Sequence, residues 1–163
     1  VGLSAVRMLR KHTRVPLVAH FDFIAPFTRM PNYGVDSKLI TKLQRIAGFD
    51  AIILAGFGAR MKTSDEEVFE NVAECLEPLG QIKTALPVPA GSQWAGSTAE
   101  LYDRLKTIDF GIVPGRGVFG HPMGPRAGAA SLLQGWEAHR QGITLDDYAD
   151  AHPELKAAIE SFT

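Results

Sequence analysis

Two periodicities alternate along this chain. Residues 3–14 carry apolar positions at helical spacing and predict a helix, and the apolar run over 15–21 then predicts a strand. Leu39, Ile40, Leu43 and Ile46 recur at three- and four-residue intervals and predict a helix over 36–47 with these four as its apolar stripe. Residues 51–55 are a short, wholly apolar run. Ser64 and Glu67 form a Ser-x-x-Glu capping box at the head of a helix over 64–78, whose apolar face is Val68, Val72, Cys75 and Leu76.

The second half continues the alternation. Residues 84–88 predict a third strand, weakened by Pro87 and Pro89, since proline removes ladder donors. Ser97 and Glu100 suggest another capping box for a helix over 97–105, and residues 110–113 predict a fourth strand. A glycine-rich loop then leads to a long helix over 127–141, and helical pieces over 146–149 and 153–162 close the chain.

Four strand–helix units follow one another at intervals of about 26 to 35 residues. Buried apolar runs alternating with helices imply parallel strands covered by helices, an α/β protein. A small doubly wound sheet fits the pattern. So does half of a (β/α)8 barrel, which needs about 250 residues to close. In both architectures the chemistry lies at the C-terminal ends of the strands. With 163 residues and no linker-like shift in composition, 1–163 reads as a single segment.

Charge narrows the partners. Seventeen Lys and Arg against eighteen Asp and Glu leave a net charge of −1, without the basic excess that nucleic-acid binding requires. The one cysteine, Cys75, forms no internal disulfide and belongs to no Cys-x-x-Cys zinc pair, so a reducing cytoplasm is the expected compartment. No apolar stretch is long enough to span a bilayer as a helix, and no membrane partner is expected.

The predicted strand ends carry the candidate chemistry. His20 closes the first strand within His20-Phe21-Asp22, where an imidazole serves as general base, hydrogen-bond donor or metal ligand, or else has a structural role. The second strand runs into Gly56-Phe57-Gly58-Ala59-Arg60-Met61-Lys62, which reads as a cationic flap over an anionic substrate or as a solvated turn. After the third strand comes Ala90-Gly91-Ser92-Gln93-Trp94, and after the fourth Pro114-Gly115-Arg116-Gly117. Glycine lets backbone N–H groups converge on an anion, so these two loops are candidates for phosphate. Trp136, Tyr148, His152 and the His121-Pro122 turn read as packing, surface or turn-forming groups.

At these residues the chain resembles the RuBisCO large-chain family. Gly117-Val118-Phe119-Gly120-His121-Pro122-Met123-Gly124 is similar to the Gly-x-x-Gly-His-Pro-x-Gly segment after the eighth barrel strand of that family. The stretch RMPNYGVDSKLITKLQRIAGFD, residues 29–50, resembles the passage between its strands five and six, and Leu86-Pro87-Val88 leading to Ala90-Gly91-Ser92 resembles its strand-seven segment ending in Ser-Gly-Gly. The resemblance is collinear over essentially the whole chain. It implies an α/β fold that is the C-terminal half, strands 5–8, of a (β/α)8 TIM barrel with extra C-terminal helices. The N-terminal half of the same barrel and an N-terminal domain would lie outside this chain.

By the same resemblance, His20 matches an active-site histidine and Arg60 stands where the flap after strand six carries its Lys. Gly91, Ser92, Gly115, Arg116 and Gly117 fall at one substrate-phosphate site. The departures redirect the chemistry. Phe21 stands where the family has Arg, Ile53 where it has a second phosphate-binding His, Ala90 for Ser and Ser92 for Gly. Arg and Lys are not equivalent charges at the flap position. These changes point away from CO2 fixation and toward the non-carboxylating, RuBisCO-like branch.

That branch implies Mg2+-dependent enolate chemistry on a phosphorylated sugar-derived substrate. Decarboxylation or transcarboxylation of a phosphorylated keto acid is one form of it, and enolase or isomerase chemistry the alternative. The resemblance places the Mg2+ ligands upstream of this chain, so no metal ligand is expected here, and it implies a homodimer. A non-catalytic, phosphate-binding or scaffolding half-barrel is the reading from another class.

Overall fold

The computed structural model describes residues 2–22, 24–30, 32–57 and 63–163. It divides into two compact units. One runs to Ala90 and takes back Asp109–Gly111, and the other holds Gly91–Ile108 and Ile112–Thr163.

The first unit contains helix α1 (Leu3–Arg10), strand β1 (Val18–His20), helices α2 (Ala25–Thr28) and α3 (Ser37–Ala47), strand β2 (Ala51–Ala55), helix α4 (Asp65–Leu76) and strand β3 (Leu86–Ala90). The strands form one parallel sheet in the order β1-β2-β3. Its register sets Val18 beside Ala51 and Ala51 beside Leu86, and sets His20 beside Ile53 and Ile53 beside Val88. Ala19, Ile52, Leu54 and Val88 are buried in the sheet, and Val68, Val72 and Cys75 of α4 are buried with them, the face expected from the sequence. Ser64 caps α4, accepting the N–H of Glu67.

The predicted fourth strand over 110–113 does not form. Leu86 N–H donates to Asp50 O and Ala90 O accepts from Gly56, so the even-numbered residues of β3 bond toward β2. Residues 87 and 89 therefore point their backbone groups the other way. Both are proline and have no N–H to give. Of that side's ladder, Gly111 N–H to Pro87 O at 2.9 Å is made. The prolines leave β3 intact and starve the next pairing.

Helix α3 corrects a second expectation. Its apolar stripe is not its buried face: Leu39, Leu43 and Ile46 are 40–46% exposed, while Ser37, Thr41, Gln44 and Arg45 are buried. The cause is a polar seam with α4. Asn71 donates its amide to Ser37 Oγ at 2.8 Å, and Thr41 Oγ1 donates to Asn71 Oδ1 at 2.5 Å. Arg45 donates to the carbonyls of Glu74 at 2.7 Å and Lys83 at 2.8 Å, and to Ile82 at 3.4 Å. Ser37, Thr41 and Arg45 are buried with these partners, as buried polar groups require, whereas Gln44 Oε1 is buried without one among the described residues.

Helix α1 ends at Arg10 rather than residue 14, because Arg10 turns inward. Its Nε donates to Gly48 O at 2.9 Å and its guanidinium pairs with Asp50, whose carboxylate also accepts Leu17 N–H. This clasp gathers α1, the start of β1 and the start of β2 at the N-terminal edge of the sheet.

The second unit is helical: α5 (Ala95–Leu105), α6 (Gly115–Phe119), α7 (Pro125–Gln141), α8 (Leu145–Ala149) and α9 (Pro153–Phe162). Its core joins Ala95, Ala149, Leu155 and Ala158, with Trp94 and Phe162 packed against them. The expected capping box of Ser97 with Glu100 is replaced by another arrangement. Ala95 begins the helix, so Ser97 lies in the first turn, and its Oγ accepts the Trp94 N–H at 3.2 Å. Trp136 packs edge-on against Tyr102, and Tyr148 stacks on His152 with centroids 4.1 Å apart, so these side chains are structural.

Candidate active site

In the first unit, the C-terminal end of the sheet opens into a pocket of about 190 Å3, lined by His20, Phe21, Asp22, Arg29, Ile53 and Ala55 among others. His20 Nδ1 lies 3.1 Å from Asp22 Oδ1. Asp22 lies in the turn that follows β1, two residues after His20. Both side chains are more than half exposed. The surrounding wall is apolar: Phe21 follows His20 and Ile53 is its register neighbour. This pocket has one imidazole acid–base group on an apolar surface.

Arg29 forms the outer wall. It donates from Nη1 to both carboxylate oxygens of Glu67, at 3.0 and 2.8 Å, and from Nη2 to Thr63 Oγ1 at 3.1 Å. Arg60, expected as the flap cation, lies outside the described residues.

The second unit gathers the five residues expected at phosphate. Gly91 and Ser92 follow directly on β3, both at positive φ, +144° and +43°. Gly115, Arg116 and Gly117 open α6. Gln93 fastens the two stretches together. Its side chain is buried, its Oε1 accepts Val113 N–H at 2.9 Å, and its carbonyl accepts Gly117 N–H at 3.0 Å. Gly117 must be glycine for this approach, since a Cβ there would stand 2.6 Å from Trp94 Cα and 2.8 Å from Gln93 O.

The amides of this corner are partly committed. Gly117 N–H goes to Gln93, and Gly115 N–H closes a tight turn on Val113 O at 2.8 Å. Arg116 is exposed, with its guanidinium carbon 5.0 Å from the ring centre of Phe162, a cation–π contact that fixes the side chain. His121 is structural. It is buried, its Nδ1 accepts Met123 N–H at 3.1 Å, and its Nε2 donates to Glu154 O at 2.9 Å.

Two residues of these sites carried no role in the sequence reading, Asp22 and Gln93. The first stands in the turn just after the strand that ends at His20. Nothing in the sequence marks a buried glutamine whose partners lie 20 and 24 residues away. Among the described residues, no group of three His, Cys, Asp or Glu side chains stands together to hold a metal ion. No helix of the described residues is long and apolar enough to cross a membrane.

An α/β unit with a parallel sheet and candidate chemistry at the strand ends defines the class, a barrel-type α/β protein. The chain belongs to the RuBisCO large-chain family: residues 1–162 match the ribulose bisphosphate carboxylase large chain, catalytic domain. It is 63% identical over 161 residues to a ribulose bisphosphate carboxylase-like protein of Allochromatium vinosum, covering 99% of this chain and 35% of that protein. It is 34% identical over 165 residues to a 3-oxo-isoapionate-4-phosphate decarboxylase of Rhizobium etli, covering 100% of this chain and 40% of that protein. Among solved structures it is similar to a dimeric archaeal Rubisco from Hyperthermus butylicus, with a TM-score of 0.86 and 32% identity, over 99% of this chain and 41% of that one. The chain thus spans little more than a third of these relatives' length. Its fold is the C-terminal half of the family's barrel.

Proposed function

We propose that this chain supplies the acid–base and phosphate-holding parts of a RuBisCO-like enzyme that carries out enolate chemistry on a phosphorylated sugar-derived substrate without fixing CO2. The observation that carries the reading is the His20–Asp22 pair on an apolar pocket, in a chain whose relatives include a decarboxylase of a phosphorylated oxo acid. Decarboxylation or transcarboxylation of a phosphorylated keto acid fits this pocket best. Breaking the C–C bond to the carboxylate leaves the electron pair as an enolate, and protonation at carbon completes the reaction. His20 delivers or removes that proton, Asp22 places a carboxylate beside its ring, and Phe21 and Ile53 limit water around the carbanionic centre.

The phosphate of the substrate is assigned to the corner of Gly91, Ser92, Gly115, Arg116 and Gly117. Arg60 is assigned to the substrate carboxylate, because a guanidinium pairs with a carboxylate through two parallel hydrogen bonds. Mg2+ is the proposed cofactor and would stabilise negative charge on the enolate oxygen. The described residues offer no ligand cluster for it, so its ligands are assigned to the rest of the longer protein and no step is derived through it. The longer protein is proposed to act as a cytoplasmic homodimer in which the N-terminal half of the barrel completes the site.

The test uses the full-length protein with Mg2+ and a panel of phosphorylated keto acids and keto sugars in D2O. CO2 release with deuterium entering the product supports decarboxylation. Deuterium entry without CO2 release supports the enolase or isomerase alternative. Neither, across the panel, refutes the enzyme reading and leaves the phosphate-binding scaffold.

A further inference from the structure

A buried cation at the other end of the sheet lacks a counter-ion. Arg45 is buried, and its hydrogen bonds go to the neutral carbonyls of Glu74, Ile82 and Lys83. The Glu74 carboxylate pairs instead with Lys42 at 3.2 Å, and among the described residues no carboxylate forms an ion pair with Arg45. Burying a charge is costly unless an opposite charge offsets it. Arg45 lines a pocket of about 260 Å3 together with Arg10, Gly48, Asp50, Lys83 and Thr84. Asp50 precedes β2 and Thr84 precedes β3, so this pocket lies at the N-terminal end of the sheet, whereas His20 closes β1 at the C-terminal end.

Three cations in this pocket face one carboxylate. Asp50 pairs with Arg10, which leaves the charges of Arg45 and Lys83 uncompensated. Lys83 is exposed, and neither its ammonium nor its N–H has a partner among the described residues. The same is true of the hydroxyl and N–H of Thr84. Two cations, a hydroxyl and two consecutive amides are a donor set suited to an oxyanion, and the carbonyls already hold Arg45 rigid. A phosphate ester carries close to two negative charges, which matches the two uncompensated cations. We propose that this pocket is an anion site for a phosphate group, free or carried by a small metabolite. It is independent of the phosphate corner assigned above, since all its residues precede Gly91.

Equilibrium dialysis of the full-length protein against radiolabelled inorganic phosphate tests the point. Lys83→Glu reverses one charge of the pocket and keeps the backbone carbonyl that holds Arg45, while Lys83→Arg keeps the charge. The expected result is a phosphate site of the wild type weakened at least about tenfold in Lys83→Glu and held within about threefold in Lys83→Arg. Lys156→Glu, the same charge change on an exposed lysine of α9, is expected to leave that site intact. Arg116→Ala alters the phosphate corner and is also expected to leave it intact, so loss of either site is read separately. Competition by glycerol phosphate for the Lys83-dependent site supports a phosphate ester as the occupant, and its absence supports the free ion. Equal phosphate binding by the wild type and Lys83→Glu overturns the proposal and leaves the phosphate corner standing. An equal loss in Lys83→Glu and Lys156→Glu overturns it as well, because net charge alone would then account for the effect.

Discussion

The carbonyl of Gln93 accepts the N–H of Gly117 at 3.0 Å, across 24 residues of sequence. With Gln93 Oε1 on Val113 N–H, this bond brings the turn after β3 and the start of α6 into one corner. The geometry leaves no room for a side chain on Gly117. Gly117→Ala is expected to cost about 2 kcal/mol, because the clash is with backbone atoms and overpacking of that kind is relieved only by moving the turn. Gly115→Ala, whose Cβ would meet nothing within 4 Å, is expected to leave stability almost unchanged. Urea unfolding of the two variants checks the contrast.

His121 is expected to hold structure. Removing its ring by His121→Ala orphans Met123 N–H and Glu154 O and leaves a buried cavity, a loss of about 3 kcal/mol. The proton is expected on Nε2, since Nδ1 accepts. A 15N spectrum of the imidazole nitrogens identifies the tautomer directly, and the opposite tautomer would contradict the assignment.

Arg45 is the most deeply buried cation described, 2% exposed and held by three backbone carbonyls. Arg45→Ala is expected to destabilise by about 3 kcal/mol, and Arg45→Lys to recover only part of that, since an ammonium cannot reproduce the planar fork. Chemical denaturation of both variants measures the difference.

Burial pushes the Cys75 thiol up to about 12. The folded state therefore keeps its proton after the unfolded chain has lost it, so the unfolded state binds fewer protons as pH rises above about 9, and stability falls from there toward pH 12. Cys75→Ala is expected to flatten this part of the stability profile. The thiol is also expected to resist iodoacetamide at pH 8 in the native protein and to react at once in denaturant.

Much of this organisation was legible in the sequence, and the failures have local causes. The α4 face of Val68, Val72 and Cys75, the three strands and the terminal helix over 153–162 follow from periodicity and capping, signals carried within a single element. Helix α3 misled because its buried face is polar, and that face is buried only through partners on α4 and the segment over 82–84. The fourth strand was lost to Pro87 and Pro89, whose effect depends on which way each proline faces in the sheet. His20 was visible at the end of its strand, whereas Gln93 was not, because its role exists only once two distant loops have met.

A crystal structure of the full-length protein grown with inorganic phosphate tests the central claim most directly. The account predicts a tetrahedral anion at the corner of Gly91, Ser92, Gly115, Arg116 and Gly117. Phosphate bound elsewhere on the protein, with this corner empty at saturating concentration, would contradict it.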